Sequence, residues 1–274
     1  MKFAICNETY EGWSFEDQVR NVSELGYDGL EIAPYTLASD VREISTARRK
    51  EMRTVAADHG IELTGLHWLL ISPKGLYLTT PDEAVYRTTV EYLQDLVRFC
   101  GEIGGQQLVL GSNRQRNIPE GGNYDDGWAR AQDAIRTAAE TAGSCGVYFL
   151  VESLPPPDCN FICNLEEARR MVEAVDHPNC QMMVDVKSMC AEGKPLDELI
   201  MGVGDRLKYV HANDANLRGP GFGDIDFRPV FSALNELGYD GYVSVEVFDY
   251  KPDPVTIARE SLAYLRRTMD AVTA

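Results

Sequence analysis

Four segments end an apolar run on a side chain that can hold a cation: Glu152 in "FLVES", Asp185 in "MMVDV", His211 in "KYVHAND" and Glu246 in "VSVEV". Three carboxylates brought together repel one another unless protons or a cation neutralise them. One imidazole with three carboxylates makes an oxygen-rich set. It suits one divalent ion, Mn²⁺ or Mg²⁺ first, then Co²⁺ or Zn²⁺, more than a thiolate-type structural zinc. A charged residue that ends a strand more often just begins a solvated loop, so each of the four says little alone. Their spacing says more. Successive members are 33, 26 and 35 residues apart, roughly one βα unit each in a barrel of about 250 residues.

Such spacing requires parallel strands whose C-terminal ends share a rim. Short apolar runs do alternate with amphipathic helical patterns along the chain. "KFAIC", "GLEIAP", "IELTGLHWLL", "QQLVLG", "VYFLVES", "QMMVDV", "LKYVHAND" and "YVSVEVF" read as strands. Helices are predicted at 15–25, 46–59, 82–101, 125–142, 165–175, 196–201, 229–237 and 254–269. Continuous apolar runs such as "VYFLV" are what strands buried on both faces need. Eight strand-then-helix units, with no linker wide enough to divide them, predict a single (β/α)8 TIM barrel over residues 1–274, one domain. A doubly wound open sheet would carry a glycine fingerprint after its first strand, and "CNETYEG" is not one. The hexapeptide "ELGYDG" occurs at 24–29 and again at 236–241. It reads as a recurrent helix-to-strand turn, closed by Gly26 or Gly238.

Composition narrows the function. The formal net charge of −17 disfavours a nucleic-acid partner, and the densest basic run, "TARRKEMR", is spaced like a solvated helix face. No segment approaches the roughly 18 consecutive apolar residues of a membrane span. "MKFAICNETY" lacks the apolar core of a secretory signal. Seven cysteines without a usual zinc spacing read as reduced thiols. A cytoplasmic protein without nucleic-acid or membrane partners is expected.

The set "VES", "VDV", "YVHAND" and "SVEVF", with "GPGFGDIDFRPVFSALNELGYDGYVSVE" between the last two, resembles the xylose-isomerase-like barrel superfamily over essentially the whole chain. Within it the likeness is to the D-tagatose 3-epimerase, hydroxypyruvate isomerase and inosose dehydratase group. The resemblance implies that Glu152, Asp185, His211 and Glu246 bind one divalent ion and that Glu152 and Glu246 are also the catalytic, proton-transferring pair. It implies a small carbohydrate substrate and a homo-oligomer, dimer or tetramer. The chemistry is then an isomerisation or epimerisation of a keto-sugar. A metal chelated by the carbonyl and the adjacent hydroxyl acidifies the carbon-bound proton and stabilises the enediolate. One glutamate removes the proton and the other returns one. The alternative is a lyase, dehydratase or deglycosidase, which starts in the same way and expels a leaving group.

The group's pattern is not complete here. Ser188 stands where a histidine usually follows the metal aspartate by three, with Lys187 beside it. Leu217 stands six after His211, where arginine is usual, and Arg218 comes one later. "ESLPPPD" replaces an "EPLNR"-like segment; it keeps Asp158 but has Pro156 at the arginine position. The expected substrate contacts are His67, Trp68, Asp158, Lys187, Ser188, Asp214 and Arg218, with Asp214 also able to support His211 or Arg218. Glu8 and Glu31 read as salt bridges across the barrel mouth, and "RGPGFGD" as a mobile loop. The DNA-repair endonuclease branch of the superfamily needs three zinc ions held by several histidines. Four histidines and an acidic surface exclude it.

Overall fold

Eight parallel strands close on one another in sequence order in the computed structural model of the chain, which describes residues 1–273. They are β1 (Lys2–Cys6), β2 (Gly29–Ile32), β3 (Glu62–Leu66), β4 (Gln107–Leu110), β5 (Tyr148–Val151), β6 (Cys180–Asp185), β7 (Leu207–Ala212) and β8 (Tyr242–Val245), and β8 pairs back onto β1. Between and after them run α1 (Phe15–Leu25), α2 (Thr46–Asp58), α3 (Glu83–Ile103), α4 (Tyr124–Cys145), α5 (Leu165–Val175), α6 (Val186–Cys190), α7 (Leu196–Val203), α8 (Arg228–Glu236) and α9 (Pro254–Thr273). This is the (β/α)8 TIM barrel that the alternation of the sequence predicts.

Strand parity explains why the rim residues face inward. Ala4, Val109, Leu150, Met183, Tyr209 and Tyr242 form an apolar plug inside the ring, while their neighbours Ile5, Leu110, Val151, Val184, Val210 and Val243 pack outward under the helices. Side chains alternate along a strand, so the residue two places after a plug residue also points inward. Glu152 follows Leu150 in this way, Asp185 follows Met183, His211 follows Tyr209, and Glu246 follows Tyr242 by way of Ser244.

Local signals set the ends of the elements. Ser14, Asp82, Asn123 and Asn164 accept N–H groups in the first turns of α1, α3, α4 and α5. Both copies of "ELGYDG" turn on a left-handed glycine, Gly26 at φ 89° and Gly238 at φ 63°. The helix predicted at 82–101 runs on to Ile103, because its left-handed cap is Gly104 at φ 87°, whose N–H donates to the carbonyls of Cys100 and Gly101. The strand predicted through Leu70 stops at Leu66, because Trp68 takes a left-handed φ of 53°. The sequence did not announce α6. Its N-cap is Asp185, whose Oδ1 accepts the Ser188 N–H at 2.6 Å. No helix among the described residues is long and apolar enough to cross a membrane.

Candidate metal centre

At the C-terminal rim, one donor atom each from Glu152, Asp185 and His211 lie within 4.8 Å of one another. Glu246 joins them, its Oε2 being 3.3 Å from His211 Nδ1. The imidazole is the pivot. Its Nε2 donates to Glu31, 3.1 and 3.2 Å from the two carboxylate oxygens. Its Nδ1 is buried, makes no hydrogen bond among the described residues, and faces Glu246 and, at 3.9 Å, Glu152 Oε1. A carboxylate behind one ring nitrogen, with the other left free, is the arrangement that fixes a ligating histidine. Asp185 is equally fixed: Ser188 holds Oδ1, and Asn213 Nδ2 donates to Oδ2 at 2.5 Å.

The charges show what this centre would accept. Burial first, then the charges of Asp185 and Glu246, push Glu152 up to about 8 despite the nearby His211. Burial and Glu246 also raise Asp185. Burial opposes the charge on Glu246, but His211 and His67 outweigh it and hold that carboxyl well below its usual range. Burial and mutual repulsion therefore work against ionising all three carboxylates together. A divalent cation between them would remove the conflict, and the orphaned Nδ1 with three carboxylate oxygens is a donor set that a hard divalent ion accepts.

The four side chains line the floor of a cavity of about 240 Å³. His67, Trp68, Asp158, Lys187 and Ser188, expected as substrate contacts, line it too. His67 Nδ1 is 3.4 Å from Glu246 Oε1, and its Nε2 is 2.9 Å from Glu8 Oε2. Burial works against a charge on this ring, but Glu8 and Glu31 raise it to about 10. Lys187 Nζ lies 3.5 Å from Asp158 Oδ2 and over the Phe248 ring. The Ser188 hydroxyl is buried without a partner among the described residues. Trp68 meets Phe248 edge-on, with centroids 6.3 Å apart.

Two expected contacts do not reach this cavity. Asp214 braces its own loop: its Oδ2 accepts the Ile225 N–H at 3.2 Å, and its N–H donates to the Arg218 carbonyl at 2.9 Å. Arg218 turns outward, donates to the Lys251 carbonyl at 3.0 Å and lies over Phe222. The reason is local. Leu217 takes a left-handed φ of 69°, which brings Leu217 to the cavity wall in place of Arg218. The Leu217 carbonyl accepts the N–H groups of both Phe248 and Asp249, each at 2.8 Å. Glu31 does pair with an imidazole, but from beneath His211 and fully buried, not across the mouth.

Sequence reasoning missed three residues. Asn213 bridges Asp185 to Glu246 Oε2, 3.3 Å away, while its Oδ1 accepts the Lys187 N–H at 2.9 Å. Its signal was parity, two places after His211. Arg116 is 0% exposed and donates from Nη1 to the carbonyls of Glu152 at 2.6 Å and Leu110 at 2.8 Å, pinning the backbone that carries Glu152. Gly111 leaves room for the Glu152 carboxylate, since a Cβ there would stand 1.9 Å from Oε2.

Known proteins share this framework. The D-psicose 3-epimerase of Ruminiclostridium cellulolyticum is 28% identical over 253 residues, covering 90% of this chain and 82% of its own. The 3-dehydro-D-guloside 4-epimerase of Escherichia coli is 25% identical over 275 residues, 97% of this chain and 99% of its own. The crystal structure of the D-psicose 3-epimerase of Clostridium cellulolyticum with D-tagatose has the same fold, with a TM-score of 0.84 over 99% of both chains at 23% identity. The family model described as a xylose isomerase-like TIM barrel matches residues 19–268. With a closed eightfold barrel and a match spanning nearly its whole length, the chain belongs to the xylose isomerase-like TIM-barrel family.

Proposed function

We propose that the chain is a divalent-metal-dependent epimerase of a neutral keto-sugar. One observation carries the reading: a fully buried imidazole, His211, is held from behind by Glu31 and offers a free Nδ1 to three carboxylates. The relatives are named as 3- and 4-epimerases of sugars, which supports inversion at one sugar carbon as the reaction.

A divalent ion held by Glu152, Asp185, His211 and Glu246 supplies the positive charge that acidifies the hydrogen beside a ketose carbonyl. Glu152 and Glu246 leave β5 and β8, three strands apart in the ring, and so enter the cavity from different sides. One removes the proton and the other returns one. The unpartnered Ser188 hydroxyl is free to bond a sugar oxygen. His67 stands on the β3 side, its Nε2 held by Glu8 and its Nδ1 turned to Glu246, so it positions that glutamate. Among the described residues, Lys187 is the one basic residue other than the histidines to line the cavity, and Asp158 is its partner. That leaves no lining cation over for a phosphate, which favours an uncharged sugar. Trp68, Phe248 and Leu217 give the sugar's C–H faces an apolar wall.

The test is incubation with D-psicose or D-fructose in D₂O, with Mn²⁺ or after chelation. Solvent deuterium at the inverted carbon of recovered epimer, lost on chelation and restored by the ion, is the expected result. A dehydrated product would transfer the site to the lyase reading, and exchange that survives chelation would remove the metal from it.

A further inference from the structure

A second cavity, of about 420 Å³, opens on the same rim where the segments after β1, β2 and β8 meet. Glu8, Tyr10, Glu11, Trp13, Tyr35 and Tyr250 are among its walls, and among the described residues no lysine, arginine or histidine is. Tyr10 and Trp13 meet at 5.4 Å and 61°, and Trp13 and Tyr35 are each 38% exposed. Two polar atoms of this wall are buried and have no hydrogen-bond partner among the described residues, Glu8 Oε1 and the Tyr10 hydroxyl. Glu8 itself is 4% exposed, and only its Oε2 is used, by His67. Tyr35 and Tyr250 stand near enough to this carboxylate that its charge adds to burial in raising both phenols.

Acidic and aromatic walls without a basic group repel anions and attract cations, through the carboxylates and through the negative faces of the rings. Unpaired buried acceptors call for a donor. A metal ion would gain little from aromatic walls, whereas an ammonium gains from both and brings three N–H donors. We propose that this cavity binds a primary ammonium group, with Glu8 and Glu11 as counter-charges and Tyr10, Trp13 and Tyr35 as its aromatic wall. The ammonium belongs either to a chain carried by the sugar or to a separate small amine; the chemistry recognised is the same.

Calorimetric titration of the metal-loaded protein with butylammonium chloride, in an amine-free buffer and without sugar, tests this independently of the proposed reaction. Saturable binding is expected, weakened at least about tenfold in Glu8→Gln and in Trp13→Leu. The second variant alters an exposed side chain and keeps the test valid if the first loses stability. Equal binding of 1-butanol, unchanged affinity in both variants, or no saturable heat (a cavity holding water only) overturns the proposal. The two sources separate with a ketose bearing an alkylammonium chain against the same ketose with a neutral chain. Tighter binding of the first, lost in Glu8→Gln, assigns the ammonium to the substrate. Equal binding of the two, with butylammonium still bound, assigns it to a free amine.

Discussion

Glu31 and Glu152 are both glutamates at the ends of barrel strands, and both are buried, yet their charges are settled in opposite ways. Burial disfavours ionisation of Glu31, but His211 and His67 override it and hold its carboxyl down at about 2. The hydroxyls of Tyr209 and Ser244 donate to it as well, at 3.0 and 2.7 Å. Glu152 is buried among carboxylates and is pushed up to about 8. The same contrast separates two arcs of the rim. On the β1–β3 side, Glu31 and one oxygen of Glu8 are spent on imidazoles. On the β5–β8 side, Glu152, Asp185 and Glu246 crowd one another around a free Nδ1. Residue type and strand-end position are shared, so neither distinguishes a carboxylate paired with an imidazole from one crowded among carboxylates. The neighbours do.

The contrast can be broken by substitutions on each arc. His211→Ala should have the largest effect, removing the metal equivalent found by elemental analysis and lowering turnover at least about 10³-fold. Full metal content in this variant would mean that the β5–β8 arc is not the cation site. Glu152→Gln keeps a donor oxygen but cannot transfer a proton, so kcat should fall by about 10²–10⁴ while the circular dichroism melt is retained. On the other arc, Glu31→Gln should weaken metal affinity by about 10–100-fold, as expected for a group that orients a ligand. Turnover should return at saturating metal; if it does not, Glu31 belongs with the reacting groups and the two arcs merge. Ser188→Ala is the mildest, raising KM several-fold, in line with the roughly 1 kcal/mol of a hydrogen bond, with kcat nearly unchanged.

The fold was legible because short, largely apolar runs alternate with amphipathic helical patterns eight times along the chain. The meeting of Glu152, Asp185, His211 and Glu246 was legible for a related reason: parity and spacing are properties of the sequence itself. Asn213 obeys the same parity and was overlooked beside the charged Asp214, which sits one place out of phase and turns into its loop. Parity has no purchase on a polar loop such as "SNRQRN", where Arg116 reads as solvated although it is fully buried against two carbonyls. Arg218 went astray through a single dihedral angle. No residue type in "NLRGP" announces that leucine, not glycine, takes the left-handed conformation.

That leucine has a kinetic consequence. A non-glycine residue held left-handed stores about 1–3 kcal/mol of strain, and here its carbonyl also clasps the two amides that begin the segment beyond β8. The loops that follow the seventh and eighth strands are therefore tied at one carbonyl. Leu217→Gly should loosen both together, so the Phe248 and Asp249 amides should exchange with solvent faster in that variant.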